Sequence, residues 1–321
     1  MNRPRPDFFI IGQSKSGTSA MYHFLRAHPQ IFMCSPKEPN YFARDFLRDP
    51  DPGGSFHPHT EAWYLGLFEG AEPGQRCGEA SACYIYSREA IPAIRAFNPE
   101  AQLIVMLREP VDFLYSYYLQ QRKNPITEGE DAPDFATALA LEPERKAGRH
   151  IPPGCLVPEL LYYSERIRYA EQLERVYASF PRDQVLVLIY DDFRADNAAV
   201  YRQVLAFLGV DTAFQPVFQT HNKGAELRSR RLQRWMRAVT FGEGWAAPAK
   251  RLLTGLIPGP VRKRAVRAVR DRLVFRPKAG PDPALVDRLK RAYRPEVEKV
   301  SELLGRDLVR RWGYDRLEEA T

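Results

Sequence analysis

Cysteine is scarce in this sequence: its 321 residues hold four, Cys34, Cys77, Cys83 and Cys155. None forms a Cys-x-x-Cys pair and none stands beside a histidine cluster, so a zinc framework is not expected, nor any other metal. Four cysteines spread through a chain of this length make no disulfide scaffold, and they are read as reduced thiols of a cytoplasmic protein. Long apolar runs are missing too. The first, Phe8-Phe9-Ile10-Ile11, stops at Gly12. It is too short for the core of a signal peptide, and nothing approaches the roughly 20 apolar residues of a membrane span. Repeats and low-complexity tracts are also absent. These absences leave a soluble globular chain that meets a membrane only peripherally, if at all.

The composition fits that class, with 44% hydrophobic and 27% charged residues and enough chain to bury a sizeable core. The formal net charge is +7, which favours anionic partners such as nucleotides, acidic glycans, nucleic acid or membrane surfaces. The charge is concentrated. From Lys223 to Arg272 there are 14 Lys/Arg against 3 Asp/Glu, a larger excess than that of the whole chain.

Short apolar runs followed by helical patterns mark an α/β fold with a parallel sheet. Buried strands are expected at Phe8–Ile11, Leu103–Leu107 and Val185–Tyr190. Helices are expected at Thr18–Ala27, about Val111–Arg122, Pro158–Ser179, Asn197–Leu208 before Gly209, and Pro283–Leu304 before Gly305. Asp45–Gly74 and Asn124–Pro133 read as loops of the kind that shape a cleft beyond strand ends. The whole reads as a single domain over residues 1–321, with a basic helical C-terminal extension at about 223–272.

The stretch Gly12-Gln-Ser-Lys-Ser-Gly-Thr-Ser19 lies between a buried strand and a helix. Glycines let backbone N–H groups turn inward and the helix N-terminus adds a favourable dipole, which together make an anion cradle. The spacing Gly12-x4-Gly17 matches a Walker A loop, but Thr18 stands where that motif requires Lys, and Lys15 sits inside the loop instead. Alone, such a loop is also compatible with a plain structural turn. Lys15-x-Gly17-Thr18-Ser19 after an N-terminal strand resembles the phosphosulfate loop of sulfotransferases that use 3′-phosphoadenosine 5′-phosphosulfate (PAPS). The resemblance implies a P-loop-like parallel sheet flanked by helices. It also implies that Lys15 meets the bridging oxygen, that backbone amides around Ser16 and Gly17 hold the 5′-phosphate, and that Thr18 and Ser19 add hydroxyl donors.

A second segment, Leu103-Ile-Val-Met-Leu-Arg108-Glu-Pro-Val-Asp-Phe-Leu-Tyr-Ser116, is similar to the family's 3′-phosphate motif. Arg brings a forked, permanent charge and Ser a short hydroxyl donor. The bland alternative for Arg108 is an ion pair with Glu109 or Asp112. Further landmarks are Gly78-Glu-Ala-Ser81 with Tyr84, Asn222-Lys223-Gly224 with Arg228, and Arg311-Trp312-Gly-Tyr314. The family pattern implies that Lys223, Gly224 and Arg228 belong to a loop over the nucleotide.

Sulfuryl transfer needs in-line attack, removal of the acceptor's proton, and stabilisation of charge on the leaving oxygen. Ser35-Pro-Lys37-Glu38-Pro-Asn-Tyr-Phe42 resembles a segment of the heparan-type enzymes in which the Glu acts as base, so Glu38 is the first candidate. His57, His59, His150 and His221 stand behind it. Ala80 occupies a position where heparan-type enzymes often carry Lys, which argues against a heparan-like acceptor. Glu38 could equally be a solvated residue in a Pro-rich turn.

Two other classes compete. A P-loop kinase would use Asp191 or Asp192 to bind magnesium, but Thr18 stands in place of its lysine. A membrane- or nucleic-acid-binding module could be built on Arg228–Arg272, where Arg alternates with Leu, Trp235, Met236 and Val. No RNA-binding motif accompanies that segment, and a solvated helical face explains it as well. The sequence thus leads to an expected sulfuryl transfer from PAPS, without metal or nucleic acid, onto a small-molecule, lipid or glycan acceptor.

Overall fold

The computed structural model describes residues 4–48, 57–123, 129–153, 155–218, 225–227, 275–277 and 280–317. Five parallel strands form the main sheet: β1 (Phe8–Gly12), β2 (Ile31–Met33), β3 (Arg76–Ala80), β4 (Gln102–Leu107) and β5 (Val185–Ile189), in the order β2-β3-β1-β4-β5. Among the described residues the helices are α1 (Thr18–Arg26), α2 (Glu61–Gly66), α3 (Ala90–Phe97), α4 (Pro110–Lys123), α5 (Phe135–Ala140), α6 (Glu142–Lys146), α7 (Tyr163–Arg166), α8 (Tyr169–Ser179), α9 (Tyr190–Ala195), α10 (Asn197–Leu208), α11 (Pro283–Leu304) and α12 (Leu308–Arg311). Two further strands, β6 (Ala225–Leu227) and β7 (Phe275–Pro277), pair antiparallel.

The period of two along each strand divides the core. Phe9, Ile11, Leu103, Val105 and Leu107 face one layer with residues of α3, α4, α8 and α11. Phe8, Ile10, Ile104, Met106 and Leu188 face the other with residues of α1, α9 and α10. Both faces are covered, which is why these strands read as unbroken apolar runs.

From β1 the chain builds β2 and β3 on one side and β4 and β5 on the other. The carboxyl ends of β1 and β4 are therefore a topological switch point, where open α/β sheets bind ligands. The loops following these two strands are the two motifs singled out above.

Several expectations change. The helix expected over Pro158–Ser179 is broken into a 3-10 turn (Pro158–Leu161), α7 and α8. At the break the carbonyls of Glu165 and Arg166 accept side-chain hydrogen bonds from Gln172 at 3.0 and 3.2 Å, replacing the helical ladder. Tyr190 opens α9 instead of closing β5. The Asp45–Gly74 stretch includes α2, started by Thr60, whose hydroxyl accepts from the Trp63 N–H at 3.2 Å. Within the supposedly helical basic extension, Ala225–Leu227 is a strand, since its backbone pairs with Phe275–Pro277. The rest of that extension lies outside the described residues.

Candidate active site

The loop after β1 is shaped by close packing. A Cβ on Gly12, at φ +149°, would lie 2.4 Å from Cγ2 of Ile85, and one on Gly17, at φ +93°, would lie 2.9 Å from the Phe193 ring. Both positions thus require glycine for space and for dihedral angle. The Gln13 N–H donates to the Met106 carbonyl at 2.8 Å, tying the loop to β4. The Gln13 side chain turns inward and donates to Gln172 Oε1 at 2.6 Å and to the Arg166 carbonyl at 3.1 Å. Ser16 and Thr18 are buried, and the Ser16 hydroxyl donates to the Ser14 carbonyl at 3.4 Å. Gly17 is the N-cap of α1 and no side chain caps that end, so its backbone donors and dipole face the loop concavity.

Arg108 joins the second motif to the first. Its Nη1 donates to the carbonyl of Lys15 at 3.0 Å, and its guanidinium carbon stands 4.8 Å from the Tyr190 ring centroid. Nη2 lies 3.6 Å from Asp112, so the ion pair considered as the bland alternative is present. It does not exhaust the group, because Nε is buried without a hydrogen-bond partner. Asp112, Ser116 and Gln120 recur every fourth residue on α4, all at least partly exposed, between buried Phe113, Leu114, Tyr115, Tyr117, Tyr118 and Leu119. This row faces the loop at two points: Arg108 meets Asp112, and Lys15 Nζ donates to Gln120 Oε1 at 3.3 Å. Ser116 lies between them. Gln120 escaped the sequence reading, although its four-residue spacing from Ser116 was the available signal.

The Glu38 turn is pinned to the neighbouring strand end. Its N–H donates to the Ala80 carbonyl at 3.0 Å, the Asn40 N–H to Ser81 Oγ at 3.0 Å, and the Phe42 N–H to the Tyr84 hydroxyl at 3.3 Å. Ser81 and Ile85 in turn donate to the carbonyls of Ile10 and Ile11, which sets this turn beside the phosphate loop. Glu38, at φ +62°, keeps a side chain 44% exposed and pairs with Lys37 at 2.5 Å. Below it Glu79 is fully buried and accepts from the Tyr64 hydroxyl. Burial pushes the Glu79 carboxyl up to about 7, against the opposing pull of the Ser81, Tyr64 and Tyr84 hydroxyls and of Lys37.

The histidines stand apart. The His57 and His59 rings meet edge to face, His59 stacks on Trp63 at 3.5 Å, and partial burial lowers the His59 pKa. His150 is exposed beyond α6. Among the described residues no hydrogen bond or ring contact links these three to the phosphate loop or to Glu38. His221 lies outside the described residues, as do Lys223, Gly224 and Arg228.

Comparison with known proteins points the same way. The family model described as a sulfotransferase domain matches residues 90–234, a span that includes Arg108 and Ser116. The chain is 26% identical to the crystal structure of a sulfotransferase from Alicyclobacillus acidocaldarius, with a TM-score of 0.69, covering 97% of this chain and 99% of that one. Over residues 90–234 the chain thus matches the sulfotransferase domain, and over nearly its whole length it resembles a bacterial sulfotransferase. Among its curated relatives, mouse (Mus musculus) bifunctional heparan sulfate N-deacetylase/N-sulfotransferase 4 is 31% identical over 219 residues, covering 64% of this chain and 22% of that protein. Human (Homo sapiens) heparan sulfate glucosamine 3-O-sulfotransferase 6 is 28% identical over 313 residues, covering 96% of this chain and 74% of the relative. The chain thus spans under a quarter of the length of the first of these relatives.

The remaining acidic candidates of this chain have other work. Asp192 pairs with Arg306 at 2.8 Å and with Arg311, and Asp191 accepts from Trp312 Nε1 at 3.0 Å. The Tyr314 hydroxyl donates to buried Glu109 at 2.5 Å. These contacts lock the Arg311-Trp312-Gly-Tyr314 landmark onto the ends of β4 and β5. They leave the two aspartates occupied as structural anchors, which removes the kinase-like reading of them.

Proposed function

We propose that this chain, as one sulfotransferase domain, moves a sulfuryl group from PAPS to a hydroxyl or amine of its acceptor. The observation that carries this reading is the Arg108–Lys15 contact, which brings the two phosphate motifs together at the switch point of the sheet. The residues fit the nucleotide. Arg108 keeps a buried, unpartnered Nε for the 3′-phosphate, with the Ser116 hydroxyl on the adjoining helix row. Ser16, Gly17, Thr18 and Ser19 offer backbone and hydroxyl donors to the 5′-phosphate. Lys223, Gly224 and Arg228 are assigned to the covering loop from the family pattern. β6, which begins directly after Gly224, lies against α4.

Bound PAPS supplies the activated sulfuryl group. Lys15 places its ammonium against the leaving oxygen, where negative charge grows. Glu38 takes the proton of the attacking acceptor, and its ion pair with Lys37 orients the carboxylate. The acceptor, a glycan or small molecule, approaches through an open groove of about 390 Å³ lined in part by Asp45, Phe46, Tyr86, Gln172 and Arg175. Gln172 connects this groove to the loop, and Asp45 follows shortly after the Glu38 turn. No protein group in this scheme requires a metal.

The test is transfer of labelled sulfate from PAPS across panels of glycans, phenols and lipids, with and without EDTA. EDTA-resistant transfer is expected. Labelled phosphate transfer from ATP that EDTA abolishes is the result that contradicts the reading.

A further inference from the structure

Arg145 and Arg166 are both fully buried, and their surroundings differ. Arg145 is compensated on every side. Its Nη1 and Nη2 donate to the two carboxylate oxygens of Glu130 at 2.8 and 2.7 Å, and its Nε to the His150 carbonyl at 3.3 Å. The Tyr163 hydroxyl then donates to the same carboxylate at 2.6 Å.

Arg166 has no such arrangement. Among the described residues it forms no ion pair, and its Nε and Nη2 are buried with no hydrogen-bond partner. Its guanidinium carbon lies 3.8 Å from the Tyr86 ring centroid and 4.9 Å from that of Tyr117. Aromatic rings compensate the faces of a planar cation and leave its in-plane N–H donors unused. A buried charge lacking acceptors is costly, and an apolar side chain would fill the same space at lower free energy. The charge therefore serves something that arrives from outside.

The location supplies the occupant. The Arg166 carbonyl is held by Gln13 of the phosphate loop at 3.1 Å, and Tyr86 and Gln172 beside it line the groove. The arginine thus stands where the groove meets the phosphate loop.

We propose that Arg166 is an anion seat at this junction, taking a carboxylate, phosphate or sulfate group carried by the acceptor. The proposal rests on the sulfotransferase reading and narrows its acceptors to anionic molecules. The sulfuryl group of the donor offers the same chemistry, and the second arm of the experiment separates the two sources.

The first arm titrates inorganic sulfate into protein saturated with PAP, the desulfated nucleotide, at constant ionic strength, by calorimetry. PAP fills the nucleotide's phosphate positions, so sulfate reports on a seat beyond them. Wild-type protein binds sulfate, and Arg166→Met weakens that binding by about tenfold or more, the scale of a charge-assisted contact. Arg166→Gln, which keeps polarity and guards against a misfolded Met variant, loses it equally. Arg166→Lys retains part, having the charge without the fork. In anion-free buffer Arg166→Met melts no lower than wild type. Sulfate that fails to bind wild type, or binds all variants alike, overturns the proposal. The second arm compares PAPS with PAP. Unchanged affinity for both in Arg166→Met assigns the seat to the acceptor, whereas a loss for PAPS alone assigns it to the donor and overturns that assignment. Failure of wild-type protein to bind PAP sinks the nucleotide site itself, a result distinct from failure of the seat.

Discussion

Gln13 and Gln172 are joined side chain to side chain at 2.6 Å, both fully buried, and both also donate to the carbonyl of Arg166. This small amide network fastens the phosphate loop to the break between α7 and α8. Gln172→Leu removes both a donor and an acceptor while leaving the Glu165 and Arg166 carbonyls buried. The expected cost is about 2–4 kcal/mol, the scale of several buried polar groups left unpaired. PAP affinity should fall with it, since the Gln13 end of the loop loses its anchor. Denaturant unfolding and PAP titration of the same sample measure both. Full stability with full affinity would show that the network anchors nothing.

The two proposed catalytic groups fail in different ways. Lys15→Met keeps the stem but loses the charge, and turnover should fall by about two powers of ten or more. Glu38→Gln should also collapse turnover while leaving PAP affinity near wild type, because the base does not hold the nucleotide. An acidic acceptor such as a nitrophenol should partly rescue Glu38→Gln and rescue Lys15→Met far less. Near-normal rates for Glu38→Gln with an ordinary alcohol would move the search to the histidines.

Glu79 makes stability depend on pH in a defined direction. Its carboxyl is raised to about 7 by complete burial, against about 4.3 in an unfolded chain. Between those values the folded state holds the proton more tightly, so its contribution to stability is fully present below pH 4.3. That contribution is lost as pH rises through 7. Glu79→Gln should flatten this part of the profile and gain on wild type at pH 8 by an amount on the order of 1–3 kcal/mol. Parallel stability profiles for the two proteins from pH 5 to pH 8 would rule this out.

The C-terminal anchor should be separable from the nucleotide site. Asp192→Asn weakens the pairs with Arg306 and Arg311, which are partly exposed, so a loss of about 1 kcal/mol or less is expected. Amide exchange should quicken in α11 and α12, while PAP affinity and EDTA resistance stay unchanged. A loss of nucleotide binding would return Asp192 to the active site.

Much of this architecture was legible because it is locally encoded. β1, β4 and β5 announce themselves as apolar runs, since both faces of the sheet are covered. α10 and α11 end where expected because Gly209 and Gly305 take the left-handed conformation their C-caps need. β2 and β3 were not legible: three residues are too few for a pattern, and Arg76-Cys-Gly-Glu-Ala carries two charges that only the fold explains. The same divide runs through the site. Lys15 and Arg108 belong to compact motifs, and their contact follows once β1 and β4 are neighbours. Gln13 reaches Gln172 and the Arg166 carbonyl across more than 150 positions, and Arg166 reaches Tyr86 and Tyr117 from distant segments, so neither leaves a spacing to read.

The most direct measurement of the central claim is the affinity of wild type and Arg108→Ala for PAP and for adenosine 5′-phosphate, which lacks the 3′-phosphate. Wild type should bind PAP about tenfold to a hundredfold more tightly than adenosine 5′-phosphate, the range expected of a charged phosphate contact. Arg108→Ala should erase most of that preference while binding adenosine 5′-phosphate nearly as wild type does. Equal affinity of wild type for the two ligands, or equal losses for both in Arg108→Ala, would contradict the account.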